Sequence, residues 1–198
     1  MTRAEKKEEK ARKPLLIDRQ PSLLKDAFST LLSLILMVGF VYFFLGYVGQ
    51  RVQVEGSSME DTLQDKDQLI VDCFTYHFLH EPQRFDIVVF RLKYDPGTFY
   101  VKRIIGLPGE TVLIRDSVIY INGKPIEDPY ATQSHFPAGS AQEPVTLGAD
   151  EFFVMGDNRI NSIDSRYAVG PVKRTQLVGK PFYRIWPFTK RGSLTGES

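Results

Sequence analysis

The segment from Ala27 to Val48 (AFSTLLSLILMVGFVYFFLGYV) holds no charged residue over 22 positions. As an α-helix it would reach about 33 Å, enough to cross a hydrocarbon core of roughly 30 Å. A helix buried in a small soluble domain is apolar along one stripe, not on all faces for six turns. A cleaved export signal would have a shorter apolar stretch, about 7–15 residues, followed by small residues at a cleavage site. Gln50, Arg51, Val52 and Gln53 follow here instead. The sequence therefore predicts an uncleaved transmembrane anchor over 27–48 and makes the lipid bilayer a partner.

Flanking charge predicts the orientation. Residues 1–26 carry eight Lys or Arg (Arg3, Lys6, Lys7, Lys10, Arg12, Lys13, Arg19 and Lys25), whereas the only Lys or Arg from Gly49 to Leu63 is Arg51. By the positive-inside rule the basic tail, 1–26, is cytoplasmic and residues 49–198 form an extracytoplasmic domain. The whole chain has a net charge of only +1, which gives no electrostatic case for nucleic acid. Its single cysteine, Cys73, excludes an intramolecular disulfide. Cys73, His77 and His80 have a ligand-like spacing, but three residues do not close a structural zinc site. No metal and no cofactor is expected.

Beyond Arg51 the pattern turns to short β-type runs between turn residues. Gln68–Asp72, Asp86–Leu92, Phe99–Ile105, Thr111–Arg115, Phe152–Met155 and Phe182–Ile185 read as strands. Val118–Ile121, Asn122-Gly123 and Lys124–Ile126 read as a hairpin around a type I′ turn. Leu107-Pro108-Gly109-Glu110 reads as a tight turn. Residues 127–150 show no regular pattern and suggest a long loop or insertion. The fold class predicted is mostly β, an antiparallel sandwich or partly closed barrel behind one N-terminal transmembrane helix. Phe74, Tyr76, Phe78 and Trp186 suit either a core or a belt at the membrane interface.

For chemistry, His77, His80 and His135 are available, but no G-x-S-x-G elbow supports a histidine triad. Three other clusters stand out: Gly56 to Leu63, Tyr100 to Glu110 and Gly156 to Arg166. Taken singly, each has an ordinary explanation. Ser57-Ser58 fits an exposed turn, Lys102 fits a solvent-facing strand position, and the third cluster fits a structural turn or an ion site.

In this order and together, the clusters resemble the boxes of bacterial type I signal peptidases. The serine motif S-M-x-P-T-L appears as Ser58-Met59-Glu60-Asp61-Thr62-Leu63. The lysine motif K-R-x-x-G-x-P-G is complete from Lys102 to Gly109, and G-D-N-R-x-x-S-x-D-S-R from Gly156 to Arg166. Two positions depart: Asp61 replaces the usual proline, and Phe85 replaces the glycine of R-G-D-I-V-V-F. The resemblance implies Ser58 as nucleophile and Lys102 as general base. Ser162 would orient the Lys102 amine, and Asp164 with Arg166 would form a supporting ion pair. It also implies exported preproteins as substrates, cut after small residues. Shallow apolar pockets for those residues are expected around Met59, Leu63 and Ile105. A lysine base must be neutral, so its ordinary value near 10.4 must fall by about 2 through burial. Gly56 stands where some relatives carry an additional oxyanion-binding serine. Self-cleaving repressors share the Ser–Lys pair but have a DNA-binding module and no anchor, and an inactive assembly factor would not retain both residues.

Overall fold

The computed structural model describes residues 23–47 and 49–194. The chain divides into two units, one up to Tyr42 and one from Phe43 onward. Helix α1 (Leu23–Tyr47) is 25 residues long, and its large apolar side chains are exposed. Thr30 Oγ1 donates to the Asp26 carbonyl oxygen at 2.8 Å and Ser33 Oγ to that of Ser29 at 2.9 Å. A helix that is apolar all round and satisfies its hydroxyls internally suits hydrocarbon rather than water. Helix α1 starts four residues before the expected span. Val48 and the basic tail before Leu23 lie outside the described residues.

The second unit is built from antiparallel strands: β1 (Gln50–Gln53), β2 (Gln68–Asp72), β3 (Ile87–Leu92), β4 (Asp95–Gly106), β5 (Thr111–Arg115), β6 (Val118–Ile121), β7 (Lys124–Pro125), β8 (Val145–Thr146), β9 (Glu151–Met155), β10 (Val172–Lys173), β11 (Leu177–Trp186) and β12 (Gly192–Ser193). One short helix, α2 (Thr75–Phe78), follows β2. The larger sheet runs β1-β2-β11-β3-β4-β9-β10, with β12 on β11, and the smaller runs β7-β6-β5-β8.

Strand β3 shows why the sequence folds this way. Its run IVVFRL is apolar on both faces because both are covered. Ile87 and Val89 enter one hydrophobic cluster with Leu69 and Val71 of β2. Val88, Phe90 and Leu92 enter another with Phe152 and Val154 of β9. A third cluster lies under the smaller sheet, where Val112, Ile114, Ile119 and Ile121 meet Phe153 and Met155. Each such side chain, fully buried, contributes about 1.5–3 kcal/mol. The turn between β6 and β7 has Asn122 at φ 51° and Gly123 at φ 77°, the two positive angles a type I′ turn requires.

Tyr76 is enclosed, with its hydroxyl donating to Asp86 Oδ2 at 2.8 Å, so it is core and not interfacial belt. Trp186 is half-exposed and packs edge-to-face on Phe188 at 4.8 Å. Phe74 is half-buried, and the Phe78 side chain lies outside the described residues.

Candidate active site

Ser58 stands in the loop that joins β1 to β2. Val54 N–H donates to the Asp67 carbonyl oxygen at 2.8 Å and Lys66 N–H to that of Val54 at 2.9 Å, closing the loop at its base. Met59 and Leu63 sink into the cluster below it. Arg184 of β11 donates to the Thr62 carbonyl oxygen at 2.7 Å and pairs with Asp67 at 3.2 Å. The serine is thereby carried on a braced loop.

Lys102 sits on β4, where its ladder partner on β3 is the wholly buried Val88. Only 5% of the lysine is exposed. Lys102 Nζ and Ser58 Oγ are hydrogen-bonded at 2.6 Å. Burial pulls the Lys102 ammonium down to about 8, helped by Arg166 and opposed by Asp164 and Asp157. Those carboxylates act weakly against desolvation because each faces its own arginine.

Arg103, next along β4, grips Asp157 in a buried two-pronged pair at 2.8 and 2.7 Å. Thr62 Oγ1 donates to the same carboxylate at 2.6 Å, tying the serine loop to the third cluster. Arg166 pairs with Asp164 at 2.9 and 2.8 Å, and Asp164 also accepts from Gly156 N–H at 3.0 Å. Arg159, fully buried, faces Asp128 at 2.5 Å and donates to the Gly156 carbonyl oxygen. The loop then clasps the serine backbone. Asn158 N–H donates to the Ser58 carbonyl oxygen at 3.1 Å, and Asn158 Nδ2 to that of Ser57 at 3.2 Å. A Cβ on Gly156 would stand 2.3 Å from both the Ser58 carbonyl oxygen and Ser162 Oγ, so this close approach requires glycine.

The two serines are distinguished by their partners. Ser57 Oγ accepts from Asn161 Nδ2 at 2.8 Å, whereas Ser58 Oγ faces the amine. The bond implied between Ser162 and Lys102 is not formed. Ser162 Oγ is buried against Gly156 without a hydrogen-bond partner, and the amine is directed at Ser58 instead.

A cleft beside the pair is lined by Val54, Glu55, Ser58 and Met59 on one side and by Thr98 to Lys102 on the other. Of the three expected pocket residues, Met59 lines it. Leu63 and Ile105 are wholly enclosed, Leu63 under the serine loop and Ile105 beneath the smaller sheet, so neither reaches the cleft. Among the described residues no group of three or more His, Cys, Asp or Glu could hold a metal ion. The His77 side chain lies outside them.

The sequence reading missed Arg103, Asp157, Asp128, Arg159 and Tyr130. The Arg103 guanidinium lies 3.4 Å from the centre of the Tyr130 ring. Arg103, Asp157 and Arg159 lie inside complete motifs, and for Arg103 a charge on an otherwise apolar strand was a usable signal. Asp128 and Tyr130 lie in the patternless stretch and carried none.

The family described as "Signal peptidase, peptidase S26" matches residues 27–186. The chain belongs to this family. It is 39% identical over 158 residues to "Probable signal peptidase I-2" of Synechocystis sp., covering 77% of this chain and 70% of that protein. It is 39% identical over 144 residues to "Signal peptidase I T" of Bacillus subtilis, covering 69% and 74%. A crystal structure of a signal peptidase I from Enterococcus faecalis V583 aligns at 36% identity and a TM-score of 0.44, over 51% of this chain and 97% of that one. Family membership makes the chain a serine endopeptidase of the signal peptidase I kind, and α1 fits a single-pass membrane anchor.

Phe85, which replaces the family's glycine, holds φ at 70°, a left-handed angle that glycine adopts without strain. Its carbonyl oxygen accepts from Arg103 Nη1 at 2.7 Å, and its ring packs on Tyr130 at 5.7 Å.

Proposed function

We propose that Ser58 is the nucleophile and Lys102 the general base of a membrane-tethered peptidase that removes signal peptides from exported preproteins. The observation that carries this is the 2.6 Å contact between Lys102 Nζ and Ser58 Oγ in a setting that favours the neutral amine. Above about pH 8 the uncharged amine accepts the hydroxyl proton as Oγ attacks the scissile carbonyl carbon. The Ser58 N–H donates to the developing oxyanion. As the C–N bond breaks, the ammonium returns its proton to the departing amine. Lys102 then deprotonates a water that hydrolyses the ester to Ser58. Asp164 with Arg166, and Asp157 with Arg103, hold the loop behind the pair. Ser162 packs there as spacing rather than as a donor to the resting amine.

The cleft supports an extended substrate. From Asp95 to Lys102, strand β4 pairs with β3, while its pairing with β9 begins only at Arg103. The opposite edge of Thr98 to Val101 is open toward the cleft, so a peptide laid along it would gain main-chain hydrogen bonds. Small residues before the bond suit a cleft whose walls include Met59 and Val101. The tail, 1–26, is placed in the cytoplasm, the anchor over 27–48, and the catalytic region, 49–198, on the extracytoplasmic face of a bacterial cell membrane, as the charge asymmetry supports.

The test is cleavage of a synthetic preprotein by the detergent-solubilised chain. Ser58→Ala and Lys102→Ala are each expected to abolish it, and the double variant to be no worse than either single one. Cleavage by Ser58→Ala at the parent rate would overturn the assignment.

A further inference from the structure

The loop from Gly156 to Arg166 has an inverted polarity. Its charged residues are buried and paired: Asp157 with Arg103, Arg159 with Asp128, Asp164 with Arg166. Asn158 and Asn161 bond the Ser57-Ser58 segment, Ser162 is enclosed, and Ser165 Oγ accepts from Val154 N–H at 2.9 Å. The two apolar side chains of this stretch point outward. Ile160 is 63% exposed and Ile163 69%, three positions apart on a loop whose charged side chains are all buried. Burial preferences alone would reverse this arrangement.

Their location gives the exposure a meaning. The cleft proposed above for the substrate before its scissile bond lies between Val54–Met59 and Thr98–Lys102. Residues 158–161 meet Ser57 and Ser58 from a different element, through Asn158 N–H to the Ser58 carbonyl oxygen and Asn161 Nδ2 to Ser57 Oγ. The loop therefore borders Ser58 without lining that cleft.

We infer that Ile160 and Ile163 form an apolar subsite for the first residues after the scissile bond, selecting substrates with a large apolar side chain there. This rests on the peptidase assignment of Ser58 and Lys102. Both isoleucines stand outside the hydrogen-bonded and ion-paired framework of the loop, so they act on substrate choice and not on the chemistry.

The experiment uses the full chain in detergent and two peptide series, identical up to the bond. One carries leucine or phenylalanine at the second and third positions after it, the other serine or aspartate. The parent is expected to cleave the apolar series about tenfold better in kcat/KM. The Ile160→Asn, Ile163→Asn double variant is expected to bring the two series near parity, with the polar series cleaved at the parent rate. The Ile160→Leu, Ile163→Leu pair should keep the preference. A parent without the preference, or an Asn variant that retains it, overturns the inference while cleavage itself leaves the dyad standing. Equal loss of both series in the Asn variant also overturns it, as does unchanged preference with weakened binding to phosphatidylglycerol vesicles. A parent that cleaves neither series overturns the peptidase assignment and the inference with it.

Discussion

Replacing Lys102 with methionine tests the proposed base through stability as well as activity. The fall from the ordinary 10.5 to about 8 corresponds to about 3 kcal/mol between the two protonation states. Because the folded value is the lower one, the unfolded chain binds more protons between about 8 and 10.5. Stability from this group therefore rises with pH through that window and is depressed below it. At pH 7 the folded protein carries a desolvated ammonium, which Lys102→Met lacks. Removal of this ionisation alone would lift the variant above the parent by about 3 kcal/mol at pH 7, about 2 at pH 9, and little near pH 11. Loss of the bond to Ser58 Oγ subtracts roughly 1 kcal/mol at every pH, so the slope carries the information and the offset does not. Urea unfolding in detergent, followed by the fluorescence of Trp186, the chain's single tryptophan, measures both proteins. Parent activity should rise through about pH 8 in parallel. A stability difference that stays flat between about pH 6 and pH 10 would refute a depressed Lys102.

Further outcomes follow from the same geometry. Ser57→Ala should keep most activity and lose about 1 kcal/mol of stability, the worth of its bond from Asn161, by peptide assay and urea melt. Asp157→Asn leaves Arg103 buried opposite a neutral group and should cost roughly 3–5 kcal/mol, with activity lost as the loop loosens. Ser162→Ala removes a hydroxyl that has no hydrogen-bond partner, so its stability should match the parent within about 0.5 kcal/mol; a larger loss would mean the hydroxyl is bonded in solution. At Phe85 the usual order should invert. Phe85→Gly should be about 1 kcal/mol more stable than Phe85→Ala, because both lose the ring but only alanine keeps the left-handed strain.

Much of the β framework was legible because its strands obey a strong local rule. Gln68–Asp72, Thr111–Arg115 and Val118–Ile121 have the same bounds in the sequence reading and the structure. Strand β11 was read only as Phe182–Ile185, because Gly179, Lys180 and Pro181 break the apolar run, and its pairing with β2 and β3 is correspondingly irregular. Strand β1, with the sequence QRVQ, has one buried side chain among its four and holds its place by pairing with β2. Ser58 and Lys102 stood in recognisable motifs, but pocket walls depend on which strand face meets which layer. Ile105 is apolar and close to Lys102 in sequence, yet it lies under the other sheet. The stretch 127–150 had no pattern because its residues serve distant partners: Asp128 faces Arg159, and the Pro137 carbonyl oxygen accepts from Arg166.

Strand β4 places its two cations side by side, and successive residues on a strand point to opposite faces. Lys102, which can lose its proton, is turned to Ser58, while Arg103, which cannot, is turned to Asp157. A slip of one residue between β3 and β4 would present Ser58 either with the permanent cation Arg103, leaving Asp157 opposite Ile104, or with Val101, leaving Asp157 opposite Lys102. Single-residue insertions or deletions in the hairpin that joins these strands would therefore be silent only if absorbed before the ladder begins. The contact between Lys102 and Ser58 is thus a property of strand alignment as much as of residue identity.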